Sequence, residues 1–233
     1  MKTGLGTACA ALALAIGACG GTSHREPRLG GAGTSKRVTT VVAALGDSIT
    51  AGSPRWDPDP AVRDQMGASA DPRSQYEYWA RRRLPHTRFR NCGVFGERTD
   101  EIAARLDSCA RGARVLILQG GINDIAQGRS VQAAARNLTE TARRARSRGL
   151  RVVLVEVLPW NNGPRGADRS IRALNRRIHA TGSTLHVPVY RWYSRLEDPA
   201  SPGRMRANWT IDGDHPSVKG YRRLADLVRL PSR

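Results

Sequence analysis

The chain has 233 residues, 39% of them hydrophobic and 25% charged, which fits one folded domain with an ordinary core and excludes a collagen-like or wholly disordered chain. Its formal net charge of +18 points first to nucleic acid. Lysine occurs only at Lys2, Lys36 and Lys219, the many arginines are scattered, Phe occurs twice, and no zinc-finger spacing or RNA-recognition signature is present; specific nucleic-acid binding is set aside, and what remains is weak attraction to anionic polymers or headgroups.

In chain order, the first element is a leader. "MKTGLGTACAALALAIGAC" has one lysine, an apolar stretch from about Leu5 to Ile16, and small residues after it. These are the parts of an export signal, too short to span a membrane comfortably. Ile16-Gly17-Ala18-Cys19 has the form of a bacterial lipobox and predicts lipidation at Cys19; an ordinary cleaved signal containing a cysteine is the alternative. Residues 1–18 are therefore read as a signal peptide, 19–37 as a Gly-, Ser- and Arg-rich tether, and 38–233 as the folded domain. The expected destination is the bacterial cell envelope or the medium, with a lipid anchor as the only membrane attachment.

Residues 37–45 are β-branched and apolar and predict a buried strand. Residues 53–73, with four prolines, read as a long insertion. A helix is expected over 74–84, a strand over 87–94, and an amphipathic helix over 98–110. Further strands are expected over 113–121, 150–159 and 185–193, and further helices over 130–149, 167–183 and 217–231. Continuous apolar strands alternating with helices imply a five-stranded parallel α/β sheet covered on both faces. Such sheets bind ligands beyond the carboxyl ends of their strands. The unusual clusters lie there: Gly46-Asp47-Ser48, Gly93 to Thr99, and Gly120 to Asp124.

Cys92 ends the second strand and Cys109 ends the helix that returns from it, so a disulfide is predicted between them, as an exported context permits; two buried thiols are the alternative. No CxxC or HxxxH accompanies them, so no metal is expected.

Acyl transfer needs a nucleophile, a base, an orienter for the base, and donors for an oxyanion. Ser48 follows the first strand. His215 lies in "IDGDHPSVKGY", with Asp212 three residues before it. Gly96 lies in "GVFGERT", where a bare backbone N–H can approach a substrate, and Asn123 lies in "GGIND". Gly46 to Ile49, Gly96, Gly121 to Asp124, and Asp212 to Pro216 resemble, in order, the four sequence blocks of the SGNH hydrolases, the GDSL-type lipases and esterases. The resemblance covers roughly residues 40–229. It implies a flavodoxin-like three-layer α/β/α fold, with Ser48 as nucleophile and first oxyanion N–H, Gly96 as second N–H, Asn123 as side-chain donor, His215 as base and Asp212 as orienter. It implies no cofactor. No G-x-S-x-G surrounds Ser48, which argues against the α/β-hydrolase fold.

Asp47 is read as shaping its turn, and Asp124 as capping the following segment or fixing the loop of Asn123. Gly93, Gly120 and Gly121 are read as backbone-geometry positions. Asp214, next to His215, is expected to face solvent or an arginine, because adjacent side chains diverge. His86, His179 and His186 lack acidic neighbours in sequence and are read as surface or core histidines; among the tryptophans, read as core or rim, Trp160 and Trp209 are singled out as candidate binding residues, since each follows a strand end or precedes the His215 loop. The expected substrate is a small-acyl or carbohydrate ester. The alternatives are lipase, lysophospholipase or thioesterase specificity, a catalytically silent carbohydrate-binding envelope protein, and a basic nucleic-acid-binding protein.

Overall fold

The computed structural model describes residues 39–232; the expected leader and tether, including Cys19, lie outside them. Strands β1 (Thr40–Gly46), β2 (Thr87–Gly93), β3 (Val115–Leu118), β4 (Arg151–Val155) and β5 (Val189–Tyr190) form one sheet in the order β2-β1-β3-β4-β5. Every neighbouring pair is parallel. Around them, in chain order, run α1 (Ser48–Ala51), α2 (Pro60–Met66), α3 (Tyr76–Arg83), α4 (Thr99–Ala104), α5 (Leu106–Ala110), α6 (Ile122–Ala126), α7 (Val131–Ser147), α8 (Ala167–Leu185), α9 (Trp192–Leu196) and α10 (Val218–Ala225).

The strand pattern explains the layers. Alternate residues of a strand face opposite sides. Ala43, Leu45, Leu116, Leu118, Val152 and Leu154 therefore enter one core, covered by Ile102 of α4, Leu106 of α5, Leu138 of α7 and Ile171 and Leu174 of α8. Val42, Ala44, Val115, Ile117, Val153 and Val155 enter the other, covered by Ile49, Tyr76 of α3, Trp192 and Leu196 of α9, and Tyr221 and Leu224 of α10. The result is the three-layer α/β/α fold. At about 25 cal/mol per Å² of apolar surface, two such cores dominate the stability of a domain this size.

Four departures from the sequence expectations have local causes. The helix expected over 98–110 is two helices, broken at Arg105 (φ −92°, ψ 3°), whose guanidinium is engaged elsewhere. The insertion contains α2, with Asp59 as its N-cap and Pro60 in its first turn, where a missing N–H costs nothing. The strand expected over 185–193 shrinks to two residues, because α8 continues through Leu185 and Trp192 starts α9. A hairpin of β6 (Glu197–Asp198) and β7 (Ser201–Met205) was not expected, since "SPGRM" lacks apolar alternation. Cys92 and Cys109 are joined by a disulfide with a Cα–Cα distance of 6.0 Å, tying β2 to α5.

Candidate active site

β1 delivers the chain to a crowded turn. A Cβ at Gly46 would lie 2.2 Å from Thr50 Oγ1, and one at Gly93, the last residue of β2, would lie 2.0 Å from the Ala51 nitrogen. Only glycine at these positions lets α1 start directly at the strand end. Asp47 is the N-cap of α1: its Oδ1 accepts the Ile49 N–H at 2.9 Å, and its Oδ2 accepts Gln119 Nε2 at 3.0 Å. Burial pushes the Asp47 carboxyl up to about 6, although these hydrogen bonds pull the other way. Gln119 Oε1 in turn accepts from Thr50 Oγ1 at 2.8 Å, and Asn91 Nδ2 donates to the Thr50 and Ala51 carbonyls. Ser48, buried at the head of α1, is held from three sides.

The partner of Ser48 arrives from the far end of the sequence. His215 Nε2 lies 3.0 Å from Ser48 Oγ, and His215 Nδ1 lies 2.8 Å from Asp212 Oδ2. A proton on Nδ1, facing the carboxylate, leaves Nε2 free to accept the serine proton. Asp212 Oδ1 accepts the backbone N–H groups of His215 (2.7 Å) and Asp214 (2.9 Å). Burial alone would raise the Asp212 carboxyl, but those two N–H groups and the His215 ring hold it below the usual carboxylate range. The bend needs Gly213, at φ +90°, a left-handed conformation that side chains disfavour. Thr210 Oγ1 accepts the Gly213 N–H and donates to the His215 carbonyl, both at 2.8 Å, and Asn161 N–H donates to the Gly213 carbonyl at 2.7 Å.

Asp214 corrects one expectation. It is half-buried and pairs with no arginine: its Oδ1 is buried with no hydrogen-bond partner, and burial raises its carboxyl. The Pro216 turn and the Thr210–Pro216 bridge direct it inward, towards Asp47 and Tyr221, whose ionisation it disfavours.

The donor side is built on the loop after β2. Gly96 has φ +80° with open space around it, so conformation rather than crowding calls for glycine there. Asn123, in the first turn of α6, donates one Nδ2 proton to the Glu97 carbonyl at 2.9 Å; an amide carries two. Neither the Ser48 nor the Gly96 N–H donates to a protein acceptor among the described residues. Asp124 ties α6 to α4, accepting the Thr99 N–H at 2.9 Å and the Thr99 hydroxyl at 2.8 Å; burial raises its carboxyl.

Sequence reasoning missed Arg105. Its Nη1 donates to the Cys92 carbonyl at 2.6 Å, its Nη2 to the Gly46 carbonyl at 3.0 Å, and its Nε to both Glu97 oxygens at 2.8 and 2.9 Å. One planar guanidinium thus ties the ends of β1 and β2 to Glu97, next to Gly96, whose carbonyl accepts from Asn123. No sequence signal separates it from the other arginines.

Phe95 was missed as well. Its ring is 66% exposed and stacks on His215, with centroids 6.2 Å apart and planes at 22°. The other exposed large hydrophobics among the described residues are Val94, next to Phe95, and Ile211, next to Asp212, both 40% exposed. Trp160 and Trp209, by contrast, pack against the two cores. His179 has an acidic partner after all, Glu156 Oε1 at 2.6 Å from its Nε2; Glu156 also accepts the Tyr193 N–H, so the contact fastens α8 to the start of α9. Among the described residues no three His, Cys, Asp or Glu side chains gather as metal ligands would.

A three-layer sheet with a serine, a histidine and a carboxylate in line at its carboxyl end is the architecture of a class of serine-dependent hydrolases. Residues 44–223 match the model of the GDSL-like Lipase/Acylhydrolase family, and the chain belongs to that family of ester-cleaving hydrolases. No curated protein sequence matches this one. Among solved structures, the fold is similar to a GDSL-like lipase of Bacteroides thetaiotaomicron (TM-score 0.63, 21% identity, 82% of this chain and 86% of that one). It is similar also to a member of the lipolytic G-D-S-L family from Veillonella parvula (TM-score 0.64, 20% identity, 81% and 95%), and to the lipase/acylhydrolase of Enterococcus faecalis (TM-score 0.60, 22% identity, 81% and 92%).

Proposed function

We propose that this chain hydrolyses carboxylic esters by two-step acyl transfer, with Ser48 as nucleophile. The observation that carries the reading is the line Asp212–His215–Ser48, with contacts of 2.8 and 3.0 Å. His215 Nε2 takes the Ser48 proton as Oγ attacks the ester carbonyl. Charge developing on the carbonyl oxygen is met by the Ser48 and Gly96 N–H groups and the second Nδ2 proton of Asn123. His215 then protonates the leaving alcohol, and a water repeats the cycle to free the acid and restore Ser48. Asp212 keeps the proton on Nδ1 and stabilises the imidazolium between the steps.

The substrate reading is a small-acyl or carbohydrate ester, supported by the charged, proline-rich character of 53–73 and the polar loop over 160–168, neither of which suits a dry acyl tunnel. A second reading, a longer apolar acyl group, is favoured by the exposed Val94, Phe95 and Ile211. A series of p-nitrophenyl esters of rising chain length, run beside acetylated xylan, separates the two. A fluorophosphonate probe that labels the native chain but not Ser48→Ala tests the nucleophile; equal labelling of both would sink it. Export, with lipid attachment at Cys19, belongs to the same proposal; the Cys92–Cys109 disulfide supports an oxidising destination, and metabolic palmitate labelling lost in Cys19→Ala tests the anchor.

A further inference from the structure

Beside the loop of His215 lies a recess of about 330 Å³, lined by Arg55, Asn208, Ile211, Ser217, Val218 and Lys219. Its position is tied to the reacting groups at both ends. Ile211 immediately precedes Asp212, and its N–H donates to the His215 carbonyl at 2.9 Å. Ser217 is two residues beyond His215, which places their Cα atoms no more than about 7 Å apart. Arg55 is seven residues beyond Ser48, and its carbonyl accepts the Asp71 N–H at 2.7 Å. The recess thus opens between the segment that follows the nucleophile and the segment that follows the base.

Its chemistry is one-sided. No carboxylate lines it. Arg98, Arg105, Arg172 and Arg195 each form ion pairs, whereas neither Arg55 nor Lys219 has a carboxylate within 4 Å among the described residues. Two cations outside any close ion pair, Arg55 being felt only at longer range by Asp71, beside the apolar walls of Ile211 and Val218 match a ligand with an apolar stem and an anionic end.

We propose that this recess is a subsite for an anionic group, a carboxylate or a phosphate, on the alcohol portion of the ester, with Arg55 and Lys219 binding it. The inference rests on the esterase reading and narrows it: the acyl carbonyl sits at Ser48, and the leaving alcohol extends past Ile211 to the two cations. Two exposed ion-pair contacts correspond to an anionic-over-neutral preference of about two- to thirtyfold.

The test compares the full chain with Arg55→Gln/Lys219→Gln on three acetate esters of substituted phenols, bearing a para carboxylate, its neutral methyl ester, or a para trimethylammonium group. Taking each ester as a variant-to-wild-type ratio of kcat/KM cancels intrinsic leaving-group reactivity. The expected result is that the anionic ester loses roughly five- to tenfold relative to the neutral one, through KM, while the cationic ester gains. That loss should shrink between 0.05 and 1 M NaCl, where the screening length falls to about 3 Å. A para phosphate in place of the carboxylate distinguishes the two anions. Arg176→Gln/Arg177→Gln on α8 removes the same net charge and should leave the preference where it is. Equal ratios for all three esters, or the same shift from the α8 control, overturn the subsite while the esterase reading stands. If wild type hydrolyses none of the esters, the esterase reading fails first. Inorganic phosphate then decides the subsite: stabilisation that is stronger for wild type than for Arg55→Gln/Lys219→Gln in thermal melts supports it, and equal stabilisation refutes it.

Discussion

The proposed nucleophile and the proposed base are held by opposite kinds of structure. Ser48 stands on a buried element: Gly46 and Gly93 bring β1, β2 and α1 into contact, and Gln119 and Asn91, from other strand ends, hydrogen-bond into the turn. His215 stands on a loop that mostly holds itself. Within seven residues, Thr210, Asp212 and Gly213 supply the hydrogen bonds that aim the imidazole; from outside, Asn161 and Asn162 bond to the loop backbone, and Ser48 and Phe95 meet the ring itself. The first arrangement depends on the whole sheet, the second on a short sequence. Damage to the sheet should therefore move the serine, while damage to the loop should detune the histidine and leave the fold alone.

The largest effect tests the core side. Ser48→Ala should remove ester hydrolysis by about 10⁴-fold or more with an unchanged circular dichroism spectrum; retained turnover would show that the nucleophile lies elsewhere. On the loop side, Asp212→Asn should cost up to about 10⁴ in kcat near neutral pH, whereas Asp214→Asn should stay within a few-fold of wild type, because Asp214 makes no bond to the imidazole. Measured on one ester, the reverse ranking would overturn the assignment of the orienter.

The donor loop lies between the two regimes. Asn123→Ala should lower kcat by about a hundredfold with little change in KM, since its free amide proton meets charge that appears only in the transition state. Arg105→Lys keeps the charge but not the fork that spans Cys92, Gly46 and Glu97. A smaller kcat loss, about tenfold, is expected, with weaker binding of a phosphonate transition-state mimic and unchanged binding of a ground-state ester analogue. Equal weakening of both ligands would make Arg105 a general structural support.

The smallest effect concerns Asp47. Its carboxyl is about 6 in the folded chain against an ordinary value near 3.8. The folded state therefore holds more protons than the unfolded one between those values, and stability falls as pH rises through that window. Wild type should lose melting temperature between pH 4 and 6.5 more steeply than Asp47→Asn, whatever the absolute offset between them. Parallel slopes would mean that Asp47 stays ionised in the fold.

Much of the architecture was legible because its causes are local. Continuous apolar, β-branched runs announced the strands, and the helix expected over 130–149 lies within two residues of α7 at each end. What escaped were elements shaped by distant partners. The break at Arg105 is made where its guanidinium reaches strand ends and a loop that the sequence keeps apart, and β5 is short because Trp192 turns under to meet Tyr76, with ring centroids 4.8 Å apart. The inward turn of Asp214 was missed for the same reason: adjacency to His215 says that two side chains diverge, not which one faces the core.

By itself, the sequence determined the layered α/β class, the strand ends at which polar residues gather, and the Asp212–Gly213–Asp214–His215 turn, since propensity, periodicity and short-range hydrogen bonds act within a few residues. Only the tertiary structure decided that Ser48 and His215, 167 positions apart, come within 3.0 Å, that Arg105 ties the donor loop to two strands, and that Arg55 and Lys219 line one recess. Those are meetings of segments whose separation along the chain carries no signal, and they are imposed by the packing of two cores against one sheet.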